Sequence, residues 1–197
     1  MDSTPRVAPL AAFLRAAIGA GVGMVQLRER RLTDAELLGA AIACAQLCRS
    51  ANVPFIINDR CDIALLCGAD GVHVGQDDVS ITGVRSLIGP DRIVGLSTHS
   101  AAQIDAARTG GADYIGVGPV HATPTKEGRP AAGVELVRYA TGHAAQPFFA
   151  IGGIDPSSIG EVISAGATRV SVLRYIAQAP DPARAVRDLV AEMNDIG

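Results

Sequence analysis

Seven short apolar runs recur along the chain, each bounded by Gly, Pro or Asp: VGMVQLRE (22–29), PFIIND (54–59), GVHVG (71–75), IVGLST (93–98), YIGVGPV (114–120), FFAIGG (148–153) and RVSVLR (169–174). They are continuous Val/Ile-rich stretches rather than clean apolar–polar alternations. That pattern predicts parallel strands covered on both faces. Helical patterns fill the intervals, at roughly 9–21, 33–50, 80–88, 100–110, 133–141, 156–165 and 180–194. Thr33 and Glu36 have the spacing of a capping box at the start of the second helix, and Pro156 and Pro182 stand near helix starts.

Strand and helix in strict alternation fit either a doubly wound sheet or a (β/α)₈ barrel of the TIM type. The polar residues decide between them. Almost every apolar run ends in side chains capable of chemistry: Gln26 and Arg28, Asn58 and Asp59, His73 and Gln76, Ser97 to His99, then Thr123, Thr125 and Lys126. A doubly wound sheet gathers its site at one switch point, whereas a barrel draws on nearly all its strand ends. The expectation is a single α/β barrel domain over residues 1–197 whose first strand is missing. Only residues 1–7 precede the first helix, and Asp2 to Arg6 is turn material. Met1 is therefore expected to be an internal or mis-assigned start or a truncation, with about six to ten apolar residues encoded upstream. Failing that, a seven-stranded barrel with an open seam would be weakly stable or patched by a partner chain.

Composition removes several classes. Of the 197 residues 48% are apolar and 19% charged, which excludes a disordered chain, and 22 glycines suit many tight strand-to-helix turns. A net charge of −3 excludes general affinity for nucleic acid or acidic membranes, so any anion site must be local. No apolar run is long enough for a membrane span, and Asp2 and Arg15 argue for an amphipathic first helix over a signal peptide. Cys44, Cys48, Cys61 and Cys67 lack zinc-site spacing; as reduced thiols they point to a cytoplasmic setting.

Four segments carry candidate chemistry. Strand alternation puts Gln26, Arg28 and Arg30 on one side, a set of donors suited to phosphate oxygens, although Arg28 and Arg30 can equally pair with Glu29 or Asp34. Asp59 and Asp78, at neighbouring strand ends, are hard oxygen ligands suited to Mg²⁺, with helix capping as the alternative. Thr123, Pro124, Thr125 and Lys126 form a loop able to bind an anion and follow it as a lid. Gly152 and Gly153, with the run through Leu173 and Arg174, fit a backbone phosphate site after the last strands, or plain turns. His99 and His121 titrate in the right range for acid–base work but show no carboxylate partner, and His73 reads as a hydrogen-bonded barrel-lining residue.

As an ordered set these motifs resemble the thiamine-phosphate synthase family, from about residue 8 to residue 190. The carriers are Gln26 to Arg30, Ile57-Asn58-Asp59-Arg60, Gly71 to Asp78, Ser97-Thr98-His99, Gly116 to Val120, Thr123 to Lys126 and Ile151 to Ile154. The resemblance implies coupling of 4-amino-2-methyl-5-(diphosphooxymethyl)pyrimidine to a thiazole phosphate, carboxylated or not, with release of pyrophosphate and, from the carboxylate, CO₂. It also implies roles. Gln26, Leu27, Arg28, Glu29, Arg30, Asn58, Ser97 and Lys126 would hold the pyrimidine diphosphate, with Arg28, Ser97 and Lys126 acting in catalysis. Asp59 and Asp78 would hold Mg²⁺, while Thr123, Pro124, Thr125, Gly153, Leu173 and Arg174 would hold the thiazole phosphate. A homo-oligomer is compatible with this reading. Two residues depart from the family pattern: Arg30 replaces a common Lys, and Arg174 stands where many relatives have Ser. A thiazole tautomerase-like relative and a non-catalytic binder of thiamine precursors are the competing readings.

Overall fold

The computed structural model describes residues 10–122 and 130–195. Sixteen elements follow in order: α1 (Leu10–Gly19), β1 (Val25–Leu27), α2 (Asp34–Ser50), β2 (Phe55–Asn58), α3 (Cys61–Cys67), β3 (Gly71–Val74), α4 (Ile81–Ile88), β4 (Ile93–Thr98), α5 (Ala101–Ala107), β5 (Tyr114–Val117), α6 (Gly133–His143), β6 (Phe148–Ile151), α7 (Ile159–Ser164), β7 (Val170–Ser171), α8 (Arg174–Gln178) and α9 (Pro182–Asp195). The seven strands form one parallel sheet in the order β1 to β7 and curl into a TIM-like barrel wall with helices outside. Among the described residues β1 and β7 are not paired with each other. The helix layer nevertheless joins the two ends, because α1 packs against both α2 and α9, and α9 also against α7 and α8.

Strand alternation sorts the side chains. Val25 and Leu27, Phe55 and Ile57, Val72 and Val74, and Ile115 and Val117 are buried within the hydrophobic core, which extends to Phe13 and Leu14 of α1, Ala41 and Cys44 of α2, and Val186 and Leu189 of α9. All four cysteines are buried and reduced, and burial raises the Cys44 and Cys48 thiols to about 12 and about 11, so they are unreactive. The second helix starts as its spacing predicts. Glu36 N–H donates to Thr33 Oγ1 at 3.4 Å, and the Glu36 carboxylate accepts from Thr33 N–H at 2.9 Å.

Two elements differ from the sequence expectation. The RVSVLR run is a strand only over Val170–Ser171, so Leu173 and Arg174 are not a strand end: Leu173 caps α8 and Arg174 opens it. The cause lies next door. β6 turns away at Gly152 and Gly153, both at positive φ, so β7 has no ladder to extend along beyond Ile151↔Ser171. Helix α3 also begins without a side-chain cap, Arg60 occupying the N-cap position.

Candidate active site

The C-terminal ends of the strands converge at one end of the barrel. Arg30, three residues past β1, places Nη2 3.3 Å from Asp59 Oδ2, just past β2. Asp59 sits at φ 63°, a left-handed conformation that Asp tolerates better than most side chains, and its N–H donates to the His73 carbonyl at 2.9 Å. Asp78, on the loop after β3, accepts from Gly75 N–H through Oδ2 at 2.7 Å. The Asp78 carboxylate also faces Asp59. Burial first, then hydrogen bonding and charge repulsion from Asp78, push the Asp59 carboxyl above the usual carboxylate range, while Arg30 pulls the other way. Neither aspartate caps a helix, contrary to that alternative: α4 is capped by Ser80, whose Oγ accepts from Gly83 N–H at 3.2 Å.

Inside the barrel, below these carboxylates, a polar cluster crosses the strands. Gln26 of β1 hydrogen-bonds the phenol of Tyr114 in β5. Tyr114 Oη lies 2.9 Å from His73 Nδ1, and His73 Nε2 lies 2.9 Å from Ser97 Oγ. His73, Ser97 and Tyr114 are all buried, which bears out the reading of His73 as a hydrogen-bonded lining residue. Gln76 holds the Ser97 carbonyl at 2.7 Å. Tyr114 was not among the expected site residues: at the start of an apolar run it reads as one more core aromatic, and only the barrel's register brings it to His73.

The remaining candidates separate. Arg28 is half-buried just beyond β1, and Asn58 ends β2 in register with His73. Leu27 belongs to the core, so its side chain is closed to any ligand. Glu29 is tied inward: its side chain is 3% exposed, and Oε1 accepts from the backbone N–H groups of Arg30 and Arg31, both at 2.7 Å. The alternative pairing of Arg28 or Arg30 with Asp34 gives way to Arg60, whose guanidinium binds Asp34 and Asp62. Gly153 at φ 68° packs so tightly on the loop after β5 that a Cβ there would lie 2.6 Å from His121 Cβ. His121 Nε2 comes within 3.2 Å of Glu161 Oε1 of α7 without the alignment of a hydrogen bond, and His99 Nδ1–H donates to the Gly118 carbonyl. Thr123, Pro124, Thr125 and Lys126 lie outside the described residues. Among the described residues no group of three or more His, Cys, Asp or Glu side chains is placed to hold a metal, and no helix is long and apolar enough to cross a membrane.

Comparison with known proteins gives the same direction throughout. A thiamine-phosphate synthase of Acidothermus cellulolyticus is 48% identical over 195 residues, covering 98% of this chain and 92% of the relative. One from a Nostoc species is 47% identical over 93% of this chain, which spans 52% of that longer relative. A thiamine phosphate pyrophosphorylase structure from Pyrococcus furiosus superposes with a TM-score of 0.89 at 30% identity, covering 98% of this chain and 93% of that one. A 3-hexulose-6-phosphate synthase structure, 21% identical with a TM-score of 0.68, shares the fold alone. The family profile described as thiamine monophosphate synthase matches residues 1–176, and with these relatives it establishes that the chain belongs to the thiamine monophosphate synthase family.

Proposed function

We propose that the chain acts as a thiamine-phosphate synthase on a pyrimidinylmethyl diphosphate and a thiazole phosphate, through loss of pyrophosphate ahead of C–N bond formation. The observation that carries this is the Asp59–Asp78 pair beside Arg30, at the mouth of a barrel lined by Gln26 and Ser97. Two facing carboxylates, one held above its ordinary range by burial and by the other, are a donor set whose repulsion a divalent cation relieves. Magnesium commonly takes one or two carboxylates and fills its shell with water and substrate phosphate, so the pair fits Mg²⁺. When bound, the ion supplies positive charge to the departing diphosphate.

The protein's own part is charge and position. The leaving diphosphate takes the electron pair of the C–O bond, and the pyrimidine ring stabilises the cation that remains. Arg30 reaches the carboxylate pair through Asp59, with Arg28 two residues before it and Lys126, by its place in the family motif, completing the set. Gln26, Asn58 and Ser97 orient the pyrimidine so that the thiazole nitrogen donates its lone pair along the vacated bond. Gly153 and Thr123 to Thr125 hold the thiazole phosphate, with Leu173 and Arg174 contributing from the start of α8. CO₂ leaves when the thiazole carries a carboxylate.

Purified protein given both substrates and Mg²⁺ should form thiamine phosphate and pyrophosphate in equal amounts, and Ser97→Ala should slow turnover at least about tenfold. Thiazole isomerisation without coupling would select the tautomerase reading. Binding of both phosphates with no pyrophosphate release would select the non-catalytic one.

A further inference from the structure

We propose that His73 is a positioning residue for this reaction: the imidazole, oriented by Tyr114, fixes the Ser97 hydroxyl as a hydrogen-bond donor toward the pyrimidine diphosphate. The inference rests on the functional reading above and concerns the direction of a buried hydrogen-bond line. Its members are Gln26, Tyr114, His73 and Ser97, taken from β1, β5, β3 and β4.

Hydrogen counting gives the direction. A phenol has one proton and a neutral imidazole has one N–H. Of the two hydroxyls flanking the imidazole, the Tyr114 phenol is by far the stronger acid and takes the donor's part, so the Gln26 amide in contact with the same oxygen donates to it. The phenol proton is then given to His73 Nδ1 at 2.9 Å. With Nδ1 accepting, the imidazole carries its proton on Nε2 and donates to Ser97 Oγ, again at 2.9 Å. The Ser97 proton must therefore go to an acceptor other than His73. Had Gln26 presented its carbonyl instead, every arrow would reverse and Ser97 would spend its proton on the imidazole.

The surroundings hold this line in place. A Cβ at Gly95 would lie 2.2 Å from Tyr114 Cζ and 2.4 Å from His73 Nδ1, so that strand is kept bare where the two rings meet. The ring centroids of His73 and Tyr114 are 5.4 Å apart, and Phe149 braces Tyr114 edge-on at the same distance. Gln76 clamps the Ser97 backbone through its carbonyl. Buried polar groups this well ordered specify one arrangement and resist rotation.

The test combines spectroscopy with kinetics. In ¹⁵N-labelled wild-type protein, His73 should show the Nε2–H tautomer with an unprotonated, hydrogen-bonded Nδ1, and Tyr114→Phe should perturb the Nδ1 resonance. This readout stands whether or not the protein proves active, so it separates failure of the inference from failure of the functional reading. In active protein, His73→Leu should lower kcat/KM for the pyrimidine diphosphate about tenfold while leaving KM for the thiazole phosphate unchanged. His73→Leu combined with Ser97→Ala should be no slower than Ser97→Ala alone. His73→Gln, which can donate to Ser97 from its amide, should recover most of the loss and guards against a folding defect in the Leu variant. An Nδ1–H tautomer in the wild type, or His73→Leu within twofold of wild-type kcat/KM, would overturn the proposal.

Discussion

Asp59 combines two demands that single substitutions pull apart. Its backbone is left-handed, and its carboxyl is held above the ordinary range by burial and by Asp78. A carboxyl raised in this way stabilises the fold most at or below its unfolded value, near pH ~4, and that contribution is lost as pH rises through the raised value. Asp59→Asn removes the repulsion yet keeps a side chain suited to left-handed φ. It should melt at a higher temperature than wild type in metal-free neutral buffer, an advantage that disappears toward pH ~4. The same variant should lose about 100-fold or more of Mg²⁺-dependent turnover. Asp59→Ala should be less stable than Asp59→Asn by about 1 kcal/mol, the difference being conformational, as urea titration would show. For wild type, calorimetry should find Mg²⁺ binding tightening with pH through the Asp59 titration, because the ion displaces a proton. The sequence marks Asp59 and Asp78 as a pair because each stands at or within a few residues of the end of an apolar run. It does not show Tyr114 reaching His73, a contact between residues 41 apart in the chain, or Glu29 turning its carboxylate back onto the amides of Arg30 and Arg31, a loop geometry that no periodicity announces.

At the scale of strands and helices, the two ends of the barrel use aspartate for opposite purposes. On the N-terminal rim, Asp70 Oδ2 accepts from Phe55 N–H at 2.8 Å, and Asp113 Oδ2 accepts from Val94 N–H at 2.6 Å while pairing with Arg85. Asp70 thus meets the first amide of β2 and Asp113 the second amide of β4, while the first, that of Ile93, donates to the Asp70 carbonyl at 2.9 Å. On the C-terminal rim, Asp59 and Asp78 face one another. Asp70→Leu should therefore leave the Phe55 amide without its acceptor, at about 1–3 kcal/mol by denaturant titration, with kcat and both KM values unchanged in the folded fraction. Constant kinetics beside lowered stability would separate the rims; a parallel loss of turnover would join them. All seven strands and the capping box of α2 are legible in the sequence, because Val/Ile runs and Thr33 to Glu36 carry local signals. Helix α8 is not, since nothing in RVSVLR announces that its neighbour β6 has already turned aside. Helix α3, lacking a side-chain cap, leaves only a faint trace.

Across the whole molecule the barrel wall is uneven. β3 pairs with β4 over four residues, and β4 with β5 over four, whereas β6 and β7 share two. Closure among the described residues runs through helix packing, α1 against α9, with Leu14 and Ala17 on one side and Val186 and Leu189 on the other all buried. Native-state hydrogen exchange should accordingly find the slowest amides in β3 to β5 and much faster ones in β7 and α8, with β1 between. Uniform protection around the barrel would contradict this. The residues proposed for the two substrates divide along the same line. Gln26, Asn58 and Ser97 stand on or beside the well-laddered wall, and Gly153, Leu173 and Arg174 at its short-laddered end. On that proposed assignment the barrel would act as a vice with one fixed jaw and one sprung jaw: the partner that ionises gripped in the longer-laddered half, and the nucleophile delivered from the half that yields as the distance between them closes.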